Sequence, residues 1–181
     1  MSRGFTFLEL LITISVLSIL LAVAAPSFSS VSETVKMKRL ASEIHSFLIT
    51  SRSEAVFRNQ ELFLHFRVGG ASGPLESSTG DWKLILTSST PYVVSDELLH
   101  IDGSSYEGIK VIFNFQAKKI VAIDAVRGRL SNGNVEFAPD DELSKKIFVK
   151  ASETTGRVRV CSVDPNSNER NSIGYFGYEI C

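Results

Sequence analysis

The chain opens with an apolar run, continues with a helical pattern, and then alternates with the period of a β-strand. Residues 8–25 are almost wholly apolar, and Glu9 is the only ionisable residue between positions 5 and 32. A helix over residues 5–25 would be about 31 Å long, which is enough to cross the hydrocarbon core of a bilayer. The pattern therefore predicts a membrane-length helix at the start of the chain.

After Pro26 the apolar positions recur at helical spacing, with charged residues between them. This pattern predicts one long helix, bent at Pro26, that ends near residue 59. We expect an apolar stripe on its second half to pack on a sheet. The stripe consists of Phe28, Val31, Val35, Leu40, Ile44, Phe47, Leu48, Ser51 and Ala55.

From residue 61 onward, apolar and polar residues alternate in short segments that are separated by turn residues. The fold class that this predicts is α+β, in which a long N-terminal helix packs on antiparallel sheets. Strands are predicted at residues 61–68, 82–87, 109–115, 120–126, 134–137, 147–149, 157–163 and 173–181.

Two interpretations of the N-terminus are open from the residues alone. A cleavable secretory signal also begins with a positive residue, here Arg3, and an apolar run. Such a signal would not normally carry a carboxylate one turn into its apolar core. Glu9 inside a membrane costs roughly 2 to 3 kcal/mol, so it is either functional or placed to reach the lipid headgroups.

Residues 4–11, GFTFLELL, resemble the class III signal of type IV prepilins and type II secretion pseudopilins. The resemblance implies that a prepilin peptidase cleaves after Gly4 and methylates the new amino group of Phe5. The apolar helix would then stay on the chain, and Pro26 would mark a place where it bends or locally melts. The resemblance also implies that Glu9 pairs with the terminal amine of a neighbouring subunit, since a buried unpaired charge costs several kcal/mol.

Residues 48–60, LITSRSEAVFRNQ, resemble the LxxARSEAIKRNQ segment of the GspH/FimT group of minor pilins and pseudopilins. Ser51 replaces the usual alanine and Phe57 the usual lysine, while the charged residues Arg52 and Glu54 are kept. The implied organisation is a prepilin leader (1–4), a transmembrane and filament-core helix (5–26), an amphipathic helix (27–60) and a β-rich head (61–181).

Cys161 and Cys181 are the only cysteines, and both lie near the C-terminus. They suggest a disulfide and an oxidising compartment, although two unrelated buried thiols are the alternative. If residues 157–163 and 173–181 form a hairpin, the two cysteines can lie opposite each other. The bridge would then stabilise the head by roughly 3 kcal/mol.

Neither the histidines nor the acidic residues form a catalytic or metal-binding pattern. His45, His65 and His100 are far apart in sequence. Residues 140–142 (DDE) lack the alternating ligand spacing of a calcium loop. We therefore expect no enzyme activity, no cofactor and no metal.

Residues 156–159, GRVR, are similar to the C-terminal DNA-binding motif of FimT-like competence pilins. On a strand, Arg157 and Arg159 would share one face about 7 Å apart and could contact the phosphates of double-stranded DNA. The alternative is that they protect an exposed strand edge from aggregation. A net charge of −1 supplies no global basic field, so any patch is local. The residues that could widen it are Arg127, Arg129, Lys118 and Lys119.

The resemblance implies a minor type IV pilin that takes part in filament assembly and priming at the tip. Its expected location is the bacterial inner membrane, as a single-pass protein with a periplasmic head, and then the pilus. Its expected partners are other pilins, the inner-membrane assembly platform, the prepilin peptidase and membrane lipid. The alternatives are DNA capture for natural transformation and a role as a type II secretion pseudopilin.

Overall fold

A computed structural model describes residues 6–70, 75–116, 120–164 and 173–181, and only the backbone of residues 23–30. Helix α1 spans Phe7–Arg58 and includes Pro26. The predicted long helix is therefore confirmed to within two residues at each end, whereas the bend at Pro26 stays a prediction. The chain divides into an N-terminal unit, residues 1–35, and a globular unit, residues 36–181.

The apolar stripe of α1 is buried in the globular unit, as its spacing predicted. Its buried residues are Met37, Leu40, Ala41, Ile44, Phe47, Leu48, Ser51 and Ala55. The prediction is wrong for Val31 and Val35, which are 60% and 58% exposed because the burial of α1 begins only at Met37. The side chain of Phe28 lies outside the described residues.

Two antiparallel sheets complete the globular unit. The first has the order β4-β3-β1-β6 and contains β1 (Leu62–Val68), β3 (Trp82–Thr87), β4 (Glu97–Asp102) and β6 (Ile120–Ile123). The second has the order β2-β5-β7-β8-β9 and contains β2 (Glu76–Ser77), β5 (Ile109–Phe115), β7 (Gly133–Pro139), β8 (Ile147–Ala151) and β9 (Val158–Ser162).

The core contains the inner faces of both sheets and the apolar stripe of α1. On β1, Leu62, Leu64 and Phe66 are buried at every second position, as strand geometry requires. Phe66 lies parallel to Phe113 of the second sheet, with ring centroids 5.3 Å apart. The helix-on-antiparallel-sheets α+β fold is confirmed.

Tyr106 attaches α1 to the turn that precedes β5. Its side chain is 2% exposed, and its hydroxyl donates to the Glu43 carboxylate of α1. The Arg39 guanidinium lies 5.9 Å from the ring centroid. Burial, together with the Glu43 carboxylate, raises the pKa of Tyr106 to about 12. The phenol therefore stays protonated and remains a donor at neutral pH.

The sequence did not predict β2 or β4. Strand β2 has only two residues, and β4 has adjacent leucines, Leu98 and Leu99, in place of clean alternation. The register between β3 and β4 also shifts between Leu86 and Thr87.

The predicted strand over residues 173–181, and with it the predicted hairpin, is wrong. This segment turns back on itself at a 3-10 helix, Tyr175–Gly177. Phe176 has φ of 59° and Gly177 has φ of 81°, which reverses the chain. Isolated bridges pair Ile173 with Glu179, and Ser162 with Ile180 in the parallel sense.

Candidate functional site

In the N-terminal unit, side chains are described for residues 6–22 and 31–35. The first four turns of α1 are exposed on every side. All residues from 6 to 22 are exposed, with Phe7 79% and Leu8 67% accessible. A helix that is apolar all round is normally buried in a membrane or among other helices. The exposed apolar side chains of this helix are therefore candidates for contact with lipid or with other helices.

The hydroxyl groups of this helix are satisfied by the helix itself. Glu9 N–H donates to Thr6 Oγ1 at 3.2 Å, which caps the first turn. The hydroxyls of Thr13, Ser15 and Ser18 donate to carbonyls three or four residues earlier, at 2.7 to 2.8 Å. Glu9 is thus the single ionisable group on an otherwise apolar surface with internally bonded hydroxyls.

The predicted processing residues Gly4 and Phe5 lie outside the described residues, as does the leader. Glu9 is exposed in the first turn of α1. Pro26 lies within α1, but nothing is described of its side chain. Over the part of the chain that is described, there is no helix with the length and apolar character that a membrane crossing requires.

Arg157 and Arg159 are both exposed, while Val158 and Val160 pack against the core, so the two arginines share the outer face as predicted. Lys150 of β8 lies directly opposite Arg159. The three cations border a depression of about 500 Å³, here called the basic depression. Its lining is Gly133, Asn134, Lys150, Ala151, Ser152, Thr155, Arg157 and Arg159, which includes no carboxylate.

Arg127 and Arg129 do not join the basic depression. They line a separate depression of about 670 Å³ together with three carboxylates, those of Glu61, Asp124 and Glu153. The acidic side chains offset the local positive charge, so these arginines do not extend the patch in the way that the sequence predicted. Lys118 and Lys119 lie outside the described residues.

Arg52 of α1 lies between the turn at Gly128 and the turn at Gly156, each of which is followed by an arginine. The sequence did not predict this position. Its Nε donates to the Gly128 carbonyl at 2.6 Å. A Cβ added at Gly156 would lie 3.4 Å from Arg52 Nη2, and Gly156 has φ of 63°. Glu54 pairs with Arg58 at 2.8 Å. The resemblance drew attention to Arg52, but its position between the turns was not readable from the sequence.

The predicted disulfide between Cys161 and Cys181 is present, with the Cα atoms 5.1 Å apart. It fixes the C-terminal segment beside β9 without the predicted hairpin. Ser162 N–H donates to the Glu179 carbonyl at 2.8 Å, and Cys181 N–H donates to the Ser162 carbonyl at 3.0 Å.

The three histidines lie in three different environments. His45 Nε2 is 3.4 Å from the Val158 carbonyl oxygen, His65 is buried beneath a loop, and His100 Nδ1 is 2.5 Å from Glu97 Oε1. Within the described ranges, no group of three or more His, Cys, Asp or Glu side chains is placed to hold a metal ion.

Comparison with known proteins identifies one sequence motif in the chain and one similar fold. Residues 1–25 match the family model of the prokaryotic N-terminal methylation motif. Two crystal structures of the type IV minor pilin FimU from Pseudomonas aeruginosa (strain PAO1) are 15% identical over 68% of this chain. Their TM-scores are 0.53 over 86% of one FimU chain and 0.51 over 90% of the other.

The minor pseudopilin EpsH from the type 2 secretion system of Vibrio cholerae has a TM-score of 0.49 at 15% identity, over 69% of this chain and 95% of EpsH. No curated protein matches the sequence significantly. The likeness to FimU shows the fold. The chain therefore carries the prokaryotic N-terminal methylation motif and has the fold of the type IV minor pilin FimU, in agreement with the predicted resemblance to minor pilins.

Proposed function

We propose that this chain is a minor pilin-like subunit of a bacterial envelope filament. Before assembly, residues 5–26 would hold it in the inner membrane as a single pass, with the globular unit in the periplasm. The observation that carries the proposal is the N-terminal helix, which is exposed and apolar on every side and has Glu9 as its single ionisable group. Such a surface needs lipid around it before assembly and the helices of other subunits around it in the filament.

The chemistry of this helix supports transfer between the two environments. Its internally bonded hydroxyls need no water, which suits the interior of a bilayer. Glu9 is costly there, and an amine exposed by cleavage after Gly4 would neutralise it when subunits associate. The partners of this cycle would be a prepilin peptidase, an assembly platform and other pilins. Replacement of Glu9 by alanine tests the proposal, because it removes the charge and keeps the apolar run.

The proposed place of the chain is the filament tip, where a minor subunit primes assembly. The same helix chemistry would serve a type II secretion pseudopilus, and the neighbouring subunits decide between the two. The subunits that co-purify with the full chain therefore distinguish a pilus from a pseudopilus.

A second candidate function is contact with double-stranded DNA through the basic depression. Arg157, Arg159 and Lys150 border it, and no carboxylate is part of its lining. Arginine can hold a phosphate with two parallel hydrogen bonds, so this face suits a phosphate backbone. Only a few phosphates would be neutralised, and binding would therefore be weak and sensitive to salt. Several subunits in one filament would raise the effective affinity.

For this candidate, we expect the Arg157→Gln/Arg159→Gln variant to bind duplex DNA more weakly than the wild type. The slope of log affinity against log salt concentration should become less steep by about 2, since each lost phosphate contact removes ~0.9 from its magnitude. The measurement is a fluorescence titration of the full chain in nonionic detergent at several salt concentrations. The matched control is Arg127→Gln/Arg129→Gln, which removes the same charge from the depression that contains three carboxylates. Equal losses in both variants would contradict a specific role of the basic depression.

A further inference from the structure

Residues 88–96 connect β3 to β4 and cover a buried histidine on the outer face of the first sheet. His65 is 4% exposed although it alternates with Leu64 and Phe66, whose side chains enter the core on the other face. Tyr92 covers it, with the two ring centroids 5.8 Å apart. The burial of His65 is therefore provided by this connection, here called the 88–96 loop.

His65 is hydrogen-bonded to the Ser89 backbone of the loop and to the Thr87 side chain at the end of β3. The Thr87 hydroxyl donates to the Ser89 carbonyl at 2.7 Å, because a carbonyl can only accept. His65 Nε2 lies 3.0 Å from the same hydroxyl oxygen, so its N–H is the donor in this pair. The second proton of an imidazolium would therefore be carried on Nδ1.

The charged groups around this ring do little to balance the positive charge that a second proton would bring. On β1, the Arg67 guanidinium lies 4.5 Å from the centroid of the Tyr92 ring. On β4, Glu97 accepts from the Tyr92 hydroxyl at 3.0 Å and is also 2.5 Å from His100 Nδ1. Lys83 of β3 is paired with Asp102 at 3.1 Å. On the loop itself, the Asp96 carboxylate accepts from the Ser89 and Ser95 hydroxyls. The carboxylates of Asp96, Glu97 and Asp102 are therefore each already bound to other groups.

These surroundings shift the pKa of the His65 ring. Burial lowers the pKa of His65, and the Arg67 charge lowers it further, while a hydrogen bond to the Ser89 backbone opposes the shift in part. When the loop is open, the ring is solvated and its pKa returns to about 6.5.

We propose that the 88–96 loop is an acid-released clamp, held closed over His65 while that ring is neutral and lifted from the sheet when the ring takes up a proton. The loop carries two exposed apolar residues, Val93 at 46% and Val94 at 74%. Its release moves this apolar pair and uncovers the outer face of β1 and β3. The clamp goes beyond the proposed filament role and does not depend on it.

The direction of the pH dependence follows from the lowered pKa. Above pH ~6.5 the ring is neutral in both states, and the closed loop keeps its full stability. Below that pH the open state binds the proton and the closed state does not. The ratio of closed to open loop then falls by up to about tenfold per pH unit, until the pH passes the pKa of the closed state.

Hydrogen exchange of the 88–96 loop tests this proposal in the full chain, held in nonionic detergent micelles. After correction for the intrinsic pH dependence of exchange, protection of the wild-type loop should fall by up to about tenfold per pH unit below ~6.5. In His65→Gln, whose amide can still donate to Thr87, protection should be independent of pH. The matched control is His45→Gln, which removes a histidine of α1 that lies beside the Val158 carbonyl of the second sheet, and it should behave as the wild type.

Persistent pH dependence in His65→Gln, or its loss in His45→Gln, would overturn the clamp. If His65→Gln does not fold, an NMR titration of the His65 ring in the wild-type chain decides. Titration below the ordinary histidine range, coupled to loss of loop protection, supports the proposal. Titration at or above that range, or a loop that stays protected after the ring is charged, overturns it.

Discussion

Replacement of Glu9 by alanine is expected to leave the chain in the membrane fraction while filaments become far scarcer. Removal of the carboxylate makes insertion easier by roughly 2 to 3 kcal/mol, because no charge then enters the bilayer. The same change leaves the terminal amine of a neighbouring subunit buried without a partner, at a cost of about 3 to 5 kcal/mol. The substitution therefore favours membrane insertion and disfavours filament assembly. Membrane fractionation and counts of filaments by electron microscopy measure them separately.

The matched control for Glu9 is Thr13→Ala in the same helix. The Thr13 hydroxyl already bonds to the Leu10 carbonyl at 2.8 Å, so its loss should change neither insertion nor filament number. A normal filament count in Glu9→Ala would contradict the proposed pairing. Equal losses in both variants would show a general sensitivity of this helix, with no special role for the charge.

Loss of the Cys161–Cys181 disulfide should lower the free energy of unfolding by about 3 kcal/mol. The bridge closes a separation of 20 residues, and the expected value is the conformational entropy that this loop regains in the unfolded chain. Cys181→Ser is the preferred variant because Cys181 is exposed, whereas Cys161 is 2% exposed and also contributes to packing. Urea unfolding of the full chain in detergent, followed by tryptophan fluorescence, gives the difference.

Treatment with reductant provides the control for the disulfide variant. The reduced wild type should match Cys181→Ser, and reductant should not change Cys181→Ser any further. A loss below about 0.5 kcal/mol, the usual range for a surface substitution, would mean that the bridge adds little to the globular unit.

The sequence predicted the elements that have a strong hydrophobic period. Helix α1 follows from a continuous apolar run and then an amphipathic stripe, and β1, β3 and β5 follow from clean alternation. Strand β4 was missed because Leu98 and Leu99 break the alternation and the register shifts beside it. The C-terminal segment was predicted as a strand because a turn at Phe176 with positive φ is uncommon for a residue other than glycine.

The candidate sites depended more on tertiary placement than on pattern. Lys150 alternates outward on β8, so it could have been added to the basic face if the register of β8 and β9 had been known. Register follows from packing and turn geometry, which the local sequence specifies only in part. Spacing along the chain suggested that Arg127 and Arg129 widen the patch. It could not show the carboxylates of Glu61 and Glu153, which come from distant parts of the sequence.

Intact-mass spectrometry of the protein extracted from membranes tests the central claim most directly. That claim is that the apolar helix is retained and that its acid is matched by an amine created through processing. The expected mass is that of a chain beginning at Phe5, without residues 1–4 and with one added methyl group. An intact leader, or a mass that lacks the whole of residues 5–26, would contradict the account.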